Sequence, residues 1–165
     1  TRPIIRIPRM SAQLKPATTF RRMVDADLDA VMAIENVIYT HPWTRGNFVD
    51  TLKAGGPCWI MELHGVMVGY AVLSAAAGEA HLLNLSVAAA WQRRGLGRIF
   101  LLYLIDFIEE IKVGVMFLEV RVSNVAARAL YAQIGFREIG VRRSYYPAPV
   151  GREDAIVLEF TPDRP

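Results

Sequence analysis

One stretch of the sequence decides the fold: Leu83-Asn84-Leu85-Ser86-Val87 and, after a short connection, Gln92-Arg93-Arg94-Gly95-Leu96-Gly97. The first part has the apolar pattern of a strand, and the second is a glycine-containing loop that opens a helix. Glycine lets the backbone approach a ligand closely, and the free N–H groups of a first helical turn attract anions. Arg93 and Arg94 add cationic donors suited to phosphate. The stretch predicts a phosphate-binding loop, although a helix start with a solvated basic patch would look the same.

Two known phosphate motifs do not fit this loop. A Walker A loop needs Gly-x4-Gly-Lys followed by Ser or Thr, and that string does not occur in the sequence. A dinucleotide fingerprint needs three glycines spaced Gly-x-Gly-x-x-Gly, whereas Gly95 and Gly97 lack the third. The loop also follows the third or fourth predicted strand instead of the first. The ligand is therefore expected to belong to another phosphate-bearing class.

Hydrophobic periodicity on both sides of the loop predicts an α/β chain with helices on both faces of a mixed sheet. The first helix is expected to begin at an Asp25 N-cap, with Asp27 and Asp29 in its first turn. Thr44 and Asn124 are predicted N-caps of later helices, and Gly135 ends the last one. Predicted strands cover 18–23, 58–63, 66–74, 81–87, 115–122, 136–146 and 155–160, and the other predicted helices cover 44–53, 98–111 and 124–134.

Composition indicates one globular domain. The chain has 165 residues, of which 53% are hydrophobic and 21% charged, and its most apolar helical run is too short to span a bilayer. The single cysteine, Cys58, excludes an internal disulfide and a Cys-cluster metal site, so a reducing, cytoplasmic location is expected. We expect a basic extension over 1–17, one domain over 18–160 and a tail over 161–165.

The positive net charge of +3 resides in the first 22 residues, which hold six basic side chains and no acid. The remaining 13 basic and 16 acidic residues give residues 23–165 a formal charge of −3. This arm is either a solvated tail or a segment that touches RNA or an acidic partner. Arg2, Arg6 and Arg9 have no interleaved aromatic residues on which bases could stack, which argues against direct nucleic-acid binding.

Two segments in this order resemble the GCN5-related N-acetyltransferase superfamily over about residues 18–160. In that superfamily, Gln/Arg-x-x-Gly-x-Gly/Ala after a central strand binds the pyrophosphate of coenzyme A, which matches Gln92 to Gly97. The segment Asn124 to Phe136 is similar to the downstream helix, which also contacts coenzyme A. The resemblance implies a mostly antiparallel mixed sheet, acetyl-coenzyme A as cosubstrate and no metal.

Further segments resemble the bacterial RimI group, whose members acetylate the N-terminal alanine of a small-subunit ribosomal protein. The similarity implies a protein N-terminus as acceptor. No membrane partner is expected, because the most apolar helical run is too short to span a bilayer. Ala88-Ala89-Ala90 departs from the Asp-Pro-type turn that is frequent there. Two alternatives stay open: an acetyltransferase for lysine or a small amine, and a coenzyme A-binding or ribosome-associated module without catalysis. The similar segments are His41 to Thr44, Phe117 to Asn124, Arg142 to Pro147 and Glu153 to Ile156.

Glu119 and Tyr131 are the candidate catalytic residues. Strand alternation puts Glu119 on one face with Phe117, where an apolar setting favours proton uptake, and the resemblance implies that it is the general base, directly or through water. The alternative is an ion pair with Arg121 or Arg143. Tyr131 lies two helical turns after Asn124, and the resemblance implies that it protonates the coenzyme A sulfur. Its alternative role is to pack against Phe136.

The remaining site residues follow from the same resemblance and from their position in loops. The main chain of Leu85, Ser86 and Val87 is expected to pair with the pantetheine arm and polarise the thioester. Trp43, Tyr145 and Tyr146 are expected to wall the acceptor site, although each could belong to the core. Cys58 is predicted to be buried and non-catalytic. No metal site is expected, because His41, His64 and His81 are isolated in the sequence. The predicted cofactor-binding set is Leu85, Ser86, Val87, Gln92, Arg93, Arg94, Gly95, Leu96, Gly97, Asn124 and Tyr131.

Overall fold

A computed structural model describes residues 18–163 as seven strands and four α-helices. The strands form one sheet in the order β1-β2-β3-β4-β5-β7-β6. Only the β4–β5 pair is parallel, which confirms the predicted mixed, mostly antiparallel sheet. The strands are β1 Thr18–Arg22, β2 Cys58–Leu63, β3 Val66–Ala76, β4 Glu79–Val87, β5 Val115–Arg121, β6 Arg137–Pro147 and β7 Arg152–Phe160; the helices are α1 Leu28–Ile38, α2 Arg45–Lys53, α3 Leu96–Glu110 and α4 Val125–Ile134.

The helices cover both faces of the sheet, because alternate residues of each strand are apolar on opposite sides. The first pair, α1 and α2, packs over β2 and β3 in a cluster built around Phe48, Ile60 and Tyr70. The second pair, α3 and α4, packs on the opposite face against β2 to β5 and β7, with Phe100, Leu104 and Ile108 of α3 fully buried. None of the helices between residues 18 and 163 is long and apolar enough to cross a membrane.

The two central strands separate after a short parallel ladder. β4 and β5 pair only from Glu79 opposite Val115 to Leu82 opposite Leu118. Leu83 is an extra residue in β4, because β3 residues Val72 and Leu73 pair with Asn84 and Leu82. A bulge bends its strand and interrupts pairing. Beyond it, β4 continues to Val87 and β5 to Arg121 without a hydrogen-bonded partner between them, so a gap opens at the centre of the sheet.

Several local predictions hold and others need correction. Thr44 and Asn124 accept the N–H groups of Asn47 and Ala127 as N-caps. The Asp25 N-cap prediction was wrong: residues 25–27 form a 3₁₀ turn, and the Asp27 carboxylate accepts the Val24 N–H instead. The α3 helix begins two residues earlier than expected, at Leu96, because Gly95 adopts the left-handed conformation and starts the helix. The basic extension over 1–17 lies outside the described residues.

Candidate active site

The loop before α3 is shaped by two residues with positive φ. Arg93 and Gly95 have φ angles of 60° and 76°, and a Cβ atom on Gly95 would have no atom within 4 Å, so open space lies above the turn. The Gln92 side chain donates to the Val87 carbonyl oxygen at 3.0 Å and ties the loop to the end of β4. The first N–H groups of the 15-residue α3 have no helical acceptor and face the loop. This geometry suits an anion.

The end of β4 presents backbone groups to the gap. The Ala88 N–H donates to the Val68 carbonyl oxygen of β3 at 2.8 Å. Backbone groups alternate in direction along a strand, so Ser86 also faces β3, while Leu85 and Val87 face the gap. The N–H and C=O groups of these two residues can therefore pair with an extended ligand inserted between β4 and β5. The prediction that this main chain binds the cosubstrate is compatible with the geometry and stays a prediction.

Glu119 lies beside the gap on the sheet face opposite α3. Its side chain is only 7% exposed, and Arg142 Nε forms an ion pair with Oε1 at 3.2 Å. The imidazole Nε2 of His81 contacts Oε2. The expected apolar setting is therefore wrong, because a guanidinium and an imidazole face this carboxylate. His81, which the sequence presents as an isolated histidine, is brought to Glu119 by the parallel register of β4 and β5.

Among residues 18–163, neither of the ion pairs suggested as alternatives for Glu119, with Arg121 or with Arg143, is present. Arg121 pairs with Glu153 at 3.2 Å and donates to the Pro147 carbonyl oxygen at 2.7 Å. Within residues 18–163, Arg143 forms no ion pair with Glu119, because the adjacent Arg142 occupies that place. Successive side chains of β6 lie on opposite faces of the sheet, so a shift of one residue in its register would exchange Arg142 and Arg143. Sequence alone does not fix that register.

Tyr39, Tyr131 and Tyr146 lie close enough together to affect one another's pKa. Burial raises the pKa of Tyr131, and the nearby Tyr39 and Tyr146 hydroxyls raise it further. Burial also raises the pKa of Tyr146 to about 12, with a smaller contribution from the Glu119 carboxylate. The Tyr131 ring does pack edge-on against Phe136, with centroids 5.3 Å apart, as its alternative role predicts. These phenols stay protonated at neutral pH, so they can donate hydrogen bonds to a charge that develops in the gap.

The end of β6 is held in an irregular conformation that presents Tyr145 and Tyr146. Pairing with β7 skips from Arg142 to Tyr146, and Ser144 has a positive φ of 50°. The Ser144 N–H donates to Asp154 Oδ1 at 2.7 Å, and Arg152 donates to the carbonyl oxygens of Ser144 and Tyr145. The two tyrosine rings lie edge-on with centroids 4.9 Å apart. Arg142, which pairs with Glu119, also lies 5.5 Å from the Tyr145 ring centroid, so the segment is close to Glu119; its role as a wall of the acceptor site stays a prediction.

A buried hydrogen-bond network that was not predicted from the sequence lies next to β4. Glu35 of α1 is 1% exposed and accepts hydrogen bonds from the Trp43 N–H, the Tyr70 hydroxyl and Asn84 Nδ2. From Asn84, the network passes through the Ser86 hydroxyl to the Tyr39 hydroxyl, 2.7 Å away. It ties the connection between α1 and α2 to β4 beside the gap. A carboxylate in an otherwise apolar helix pattern is the only sequence signal for it.

Asn124, Trp43 and Cys58 each make contacts within the protein that account for their positions without a ligand. The Asn124 side chain caps α4, which does not exclude a ligand on its exposed side. The Trp43 ring packs against Phe48 in the cluster under α1 and α2, so the structure does not bring it to Glu119. Cys58 is buried as predicted, and burial raises the pKa of its thiol to about 11. Within residues 18–163, no group of three or more His, Cys, Asp or Glu side chains could hold a metal ion.

The chain is similar in sequence to known acetyltransferases. Residues 28–136 match the acetyltransferase (GNAT) family. The chain is 39% identical over 140 residues to the [ribosomal protein bS18]-alanine N-acetyltransferase of Escherichia coli K12, covering 85% of this chain and 95% of the relative. The Haemophilus influenzae protein of the same name is 35% identical over 137 residues, covering 80% of this chain and 90% of the relative.

Solved structures of acetyltransferases have the same fold as this chain. The crystal structure of the Escherichia coli ribosomal-protein-S18-alanine N-acetyltransferase superposes with a TM-score of 0.85 at 36% identity, covering 90% of this chain and 96% of that one. A more distant fold match is yncA of Salmonella typhimurium, solved with acetyl-CoA, at a TM-score of 0.75 and 23% identity, covering 90% of this chain and 96% of that one.

Proposed function

Because the chain belongs to the acetyltransferase (GNAT) family, we propose that it transfers the acetyl group of acetyl-coenzyme A to the N-terminal amine of a protein. The acceptor we propose is the N-terminal alanine of ribosomal protein bS18. The observation that carries this proposal is the 39% identity to an enzyme of that name over 95% of its length. Such an acceptor implies that the reaction takes place in the cytoplasm.

We assign the cosubstrate to the loop and the gap. The pyrophosphate of acetyl-coenzyme A binds at the α3 N-terminus, where the free N–H groups and the side chains of Arg93 and Arg94 supply positive charge. The pantetheine arm lies in the gap and pairs with the main chain of Leu85 and Val87. This pairing takes the place of the strand contacts that β4 and β5 lack beyond Leu82 and Leu118. A backbone N–H at this position polarises the thioester carbonyl.

The chemistry assigned to the side chains follows from proton balance. A terminal amine has a pKa of ~7.7–8.0, whereas that of lysine is ~10.4, so a terminal amine is already partly neutral at pH 7. The neutral amine nitrogen attacks the thioester carbon, and Glu119 takes the proton that the nitrogen then loses, directly or through water. The C–S bond breaks, Tyr131 protonates the leaving thiolate, and its phenolate regains a proton from solvent. The raised pKa of Tyr131 keeps that proton in place until the thiolate forms.

Acceptor recognition is assigned to the mouth of the site. Tyr145 and Tyr146 form one wall, and Arg121 stacks on the Tyr146 ring at 4.5 Å from its centroid and fixes it. Trp43 supports the opposite wall through the segment between α1 and α2, which its backbone N–H anchors to Glu35. A peptide N-terminus enters between these walls and reaches Glu119 from the face that α3 does not cover.

A thiol-release assay with acetyl-coenzyme A tests this proposal. It compares a peptide that begins Ala-Arg-Tyr with the same peptide blocked at its N-terminus and carrying a lysine. We expect release with the free N-terminus alone, and equal rates with both peptides would refute the N-terminal assignment. Glu119→Gln and Tyr131→Phe are each expected to lower kcat by about 10²-fold while acetyl-coenzyme A still binds. Unchanged turnover in both variants would show that neither residue is catalytic, while the proposed acetyl transfer would still stand.

A further inference from the structure

His81 contacts the candidate base, and of these two side chains it is the one with substantial exposure to solvent. Its side chain is 33% exposed, whereas that of Glu119 is 7% exposed. His81 pairs with Phe117 in the parallel ladder, and paired residues share a face, so its ring lies on the same side as Glu119, two residues further along β5. The imidazole therefore connects an enclosed carboxylate with the solvent.

Two side chains contact the Glu119 carboxylate, one at each oxygen. The Arg142 guanidinium is paired with one carboxylate oxygen at 3.2 Å. The other oxygen contacts His81 Nε2. A buried carboxylate that binds an imidazole nitrogen fixes the ring's tautomer and orientation and stabilises the imidazolium, while remaining ionised itself. Glu119 is in that position with respect to His81.

We propose that the proton released by the acceptor amine is taken up by His81, while Glu119 stays ionised and orients the ring. With Nε2–H donating to Glu119, Nδ1 is the ring nitrogen left to accept a proton. The amine N–H bond breaks and a bond from Nδ1 to hydrogen forms, through a water where the two do not touch. The imidazolium then returns the proton to solvent. This inference rests on the proposed function and replaces Glu119 alone by the His81–Glu119 pair as the base: the imidazole takes the proton, and the carboxylate orients the imidazole.

Charged side chains of both signs lie on the same face of the sheet as the ring. Beside Phe117 on this face lies the Arg137–Glu159 ion pair, because Phe117 pairs with Glu159 of β7. Glu79 precedes His81 by two residues on the same strand, and Arg142 reaches Glu119 from β6. Two arginines and three carboxylates, those of Glu79, Glu119 and Glu159, therefore lie on the face of the sheet that carries His81.

Chemical rescue tests the proposal. In the thiol-release assay with the Ala-Arg-Tyr peptide, His81→Ala should lower kcat by about 10²-fold and leave the KM for acetyl-coenzyme A unchanged. Added imidazole should then raise kcat by about 10-fold, because the vacated ring position is open to solvent. Glu119→Gln should not respond to imidazole, since its carboxylate is enclosed. The control is His64→Asn, a turn position with φ 50° that asparagine tolerates; it should keep wild-type kcat and show no response.

His81→Gln separates proton uptake from mere support of Glu119. Glutamine can donate to the carboxylate but accepts no proton, so we expect kcat to stay as low as in His81→Ala. Full activity in His81→Gln, or no rescue of His81→Ala, would overturn the proposal. ¹⁵N NMR of the histidine rings should show the Nε2–H tautomer of His81 and its loss in Glu119→Gln, and an Nδ1–H tautomer in the wild type would also overturn it. Absence of acetyl transfer by the wild-type chain would instead refute the proposed function.

Discussion

Gly69→Ala tests whether the close packing behind the gap matters for both stability and cosubstrate binding. Gly69 lies in β3 and pairs with Val87, directly behind the segment of β4 that borders the gap. A Cβ atom at this position would lie 2.6 Å from the Ser86 carbonyl oxygen and 3.6 Å from the Val87 Cα. Both neighbours belong to the backbone of β4, so no side-chain rotation can relieve the contact.

The size of the destabilisation follows from how far β4 must move to make room for the alanine Cβ. Ordinary contact begins at 3.4 Å, so β4 must move by about 0.8 Å at Ser86. Overpacking of this kind in a close-packed interior typically destabilises a protein by about 1–3 kcal/mol. A loss of about 2 kcal/mol corresponds to a fall in Tm of about 4–8 °C for a chain of this size. The displaced carbonyl belongs to Ser86, which lies between Leu85 and Val87, so the KM for acetyl-coenzyme A should rise more than the KM for the peptide.

Urea unfolding followed by circular dichroism measures the first effect, and steady-state thiol release measures the second. Gly46→Ala is the matched control, because its Cβ would meet only Thr44 Oγ1 at 3.6 Å in the first turn of α2. That variant should be stabilised by up to about 0.5 kcal/mol and should keep both KM values. If Gly69→Ala unfolds at the same urea concentration as Gly46→Ala, the close approach of β3 and β4 is not a constraint and the reasoning fails.

Two further predictions concern pH. The Arg21 hydrogen bonds lower the pKa of Asp27, so the stability they confer is full above the ordinary carboxyl pKa of ~3.9 and is lost as pH falls through the lower folded value. Because Arg21 is 42% exposed, Asp27→Asn should cost only about 1 kcal/mol at pH 7. Urea midpoints that do not converge with those of the wild type in acid would contradict this. Burial also raises the pKa of five tyrosines, so the 295 nm absorbance should show most phenolate forming only as the chain unfolds above pH ~10; smooth ionisation near pH ~10 in the folded protein would disprove it. The five are Tyr39, Tyr70, Tyr103, Tyr131 and Tyr146.

Features that depend on neighbours in the chain could be predicted from the sequence. Asn124 and Thr44 are caps because a short polar side chain can reach an N–H three residues ahead, and Gly135 ends α4 because it adopts a left-handed conformation. The strand pattern and the loop from Gln92 to Gly97 likewise follow from local alternation and glycine. Even here, Asp25 was the wrong choice of cap, because residues 25–27 form a 3₁₀ turn and the Asp27 carboxylate accepts the Val24 N–H.

Contacts between distant strands could not be predicted in the same way. The approach of His81 to Glu119 depends on the parallel register of β4 and β5, and a shift of one residue would put the two side chains on opposite faces. The choice of Arg142 over Arg143 depends on the bulges in β6. The Glu35 network joins residues of α1, β3 and β4 that are 35 and 49 positions apart. Such clusters carry no local periodic signal, because their members are separated by whole elements.

The short ladder between β4 and β5 divides the sheet into two antiparallel leaves, one from β1 to β4 and the other from β5 to β6. Four residue pairs, from Glu79 and Val115 to Leu82 and Leu118, join these leaves at one end only. A small rotation about that seam changes the width of the opposite end without breaking any strand pairing. A ligand that pairs with Leu85 and Val87 would join the leaves along their length. Its occupancy would then become part of the free energy of unfolding, which grows with the logarithm of ligand concentration above Kd.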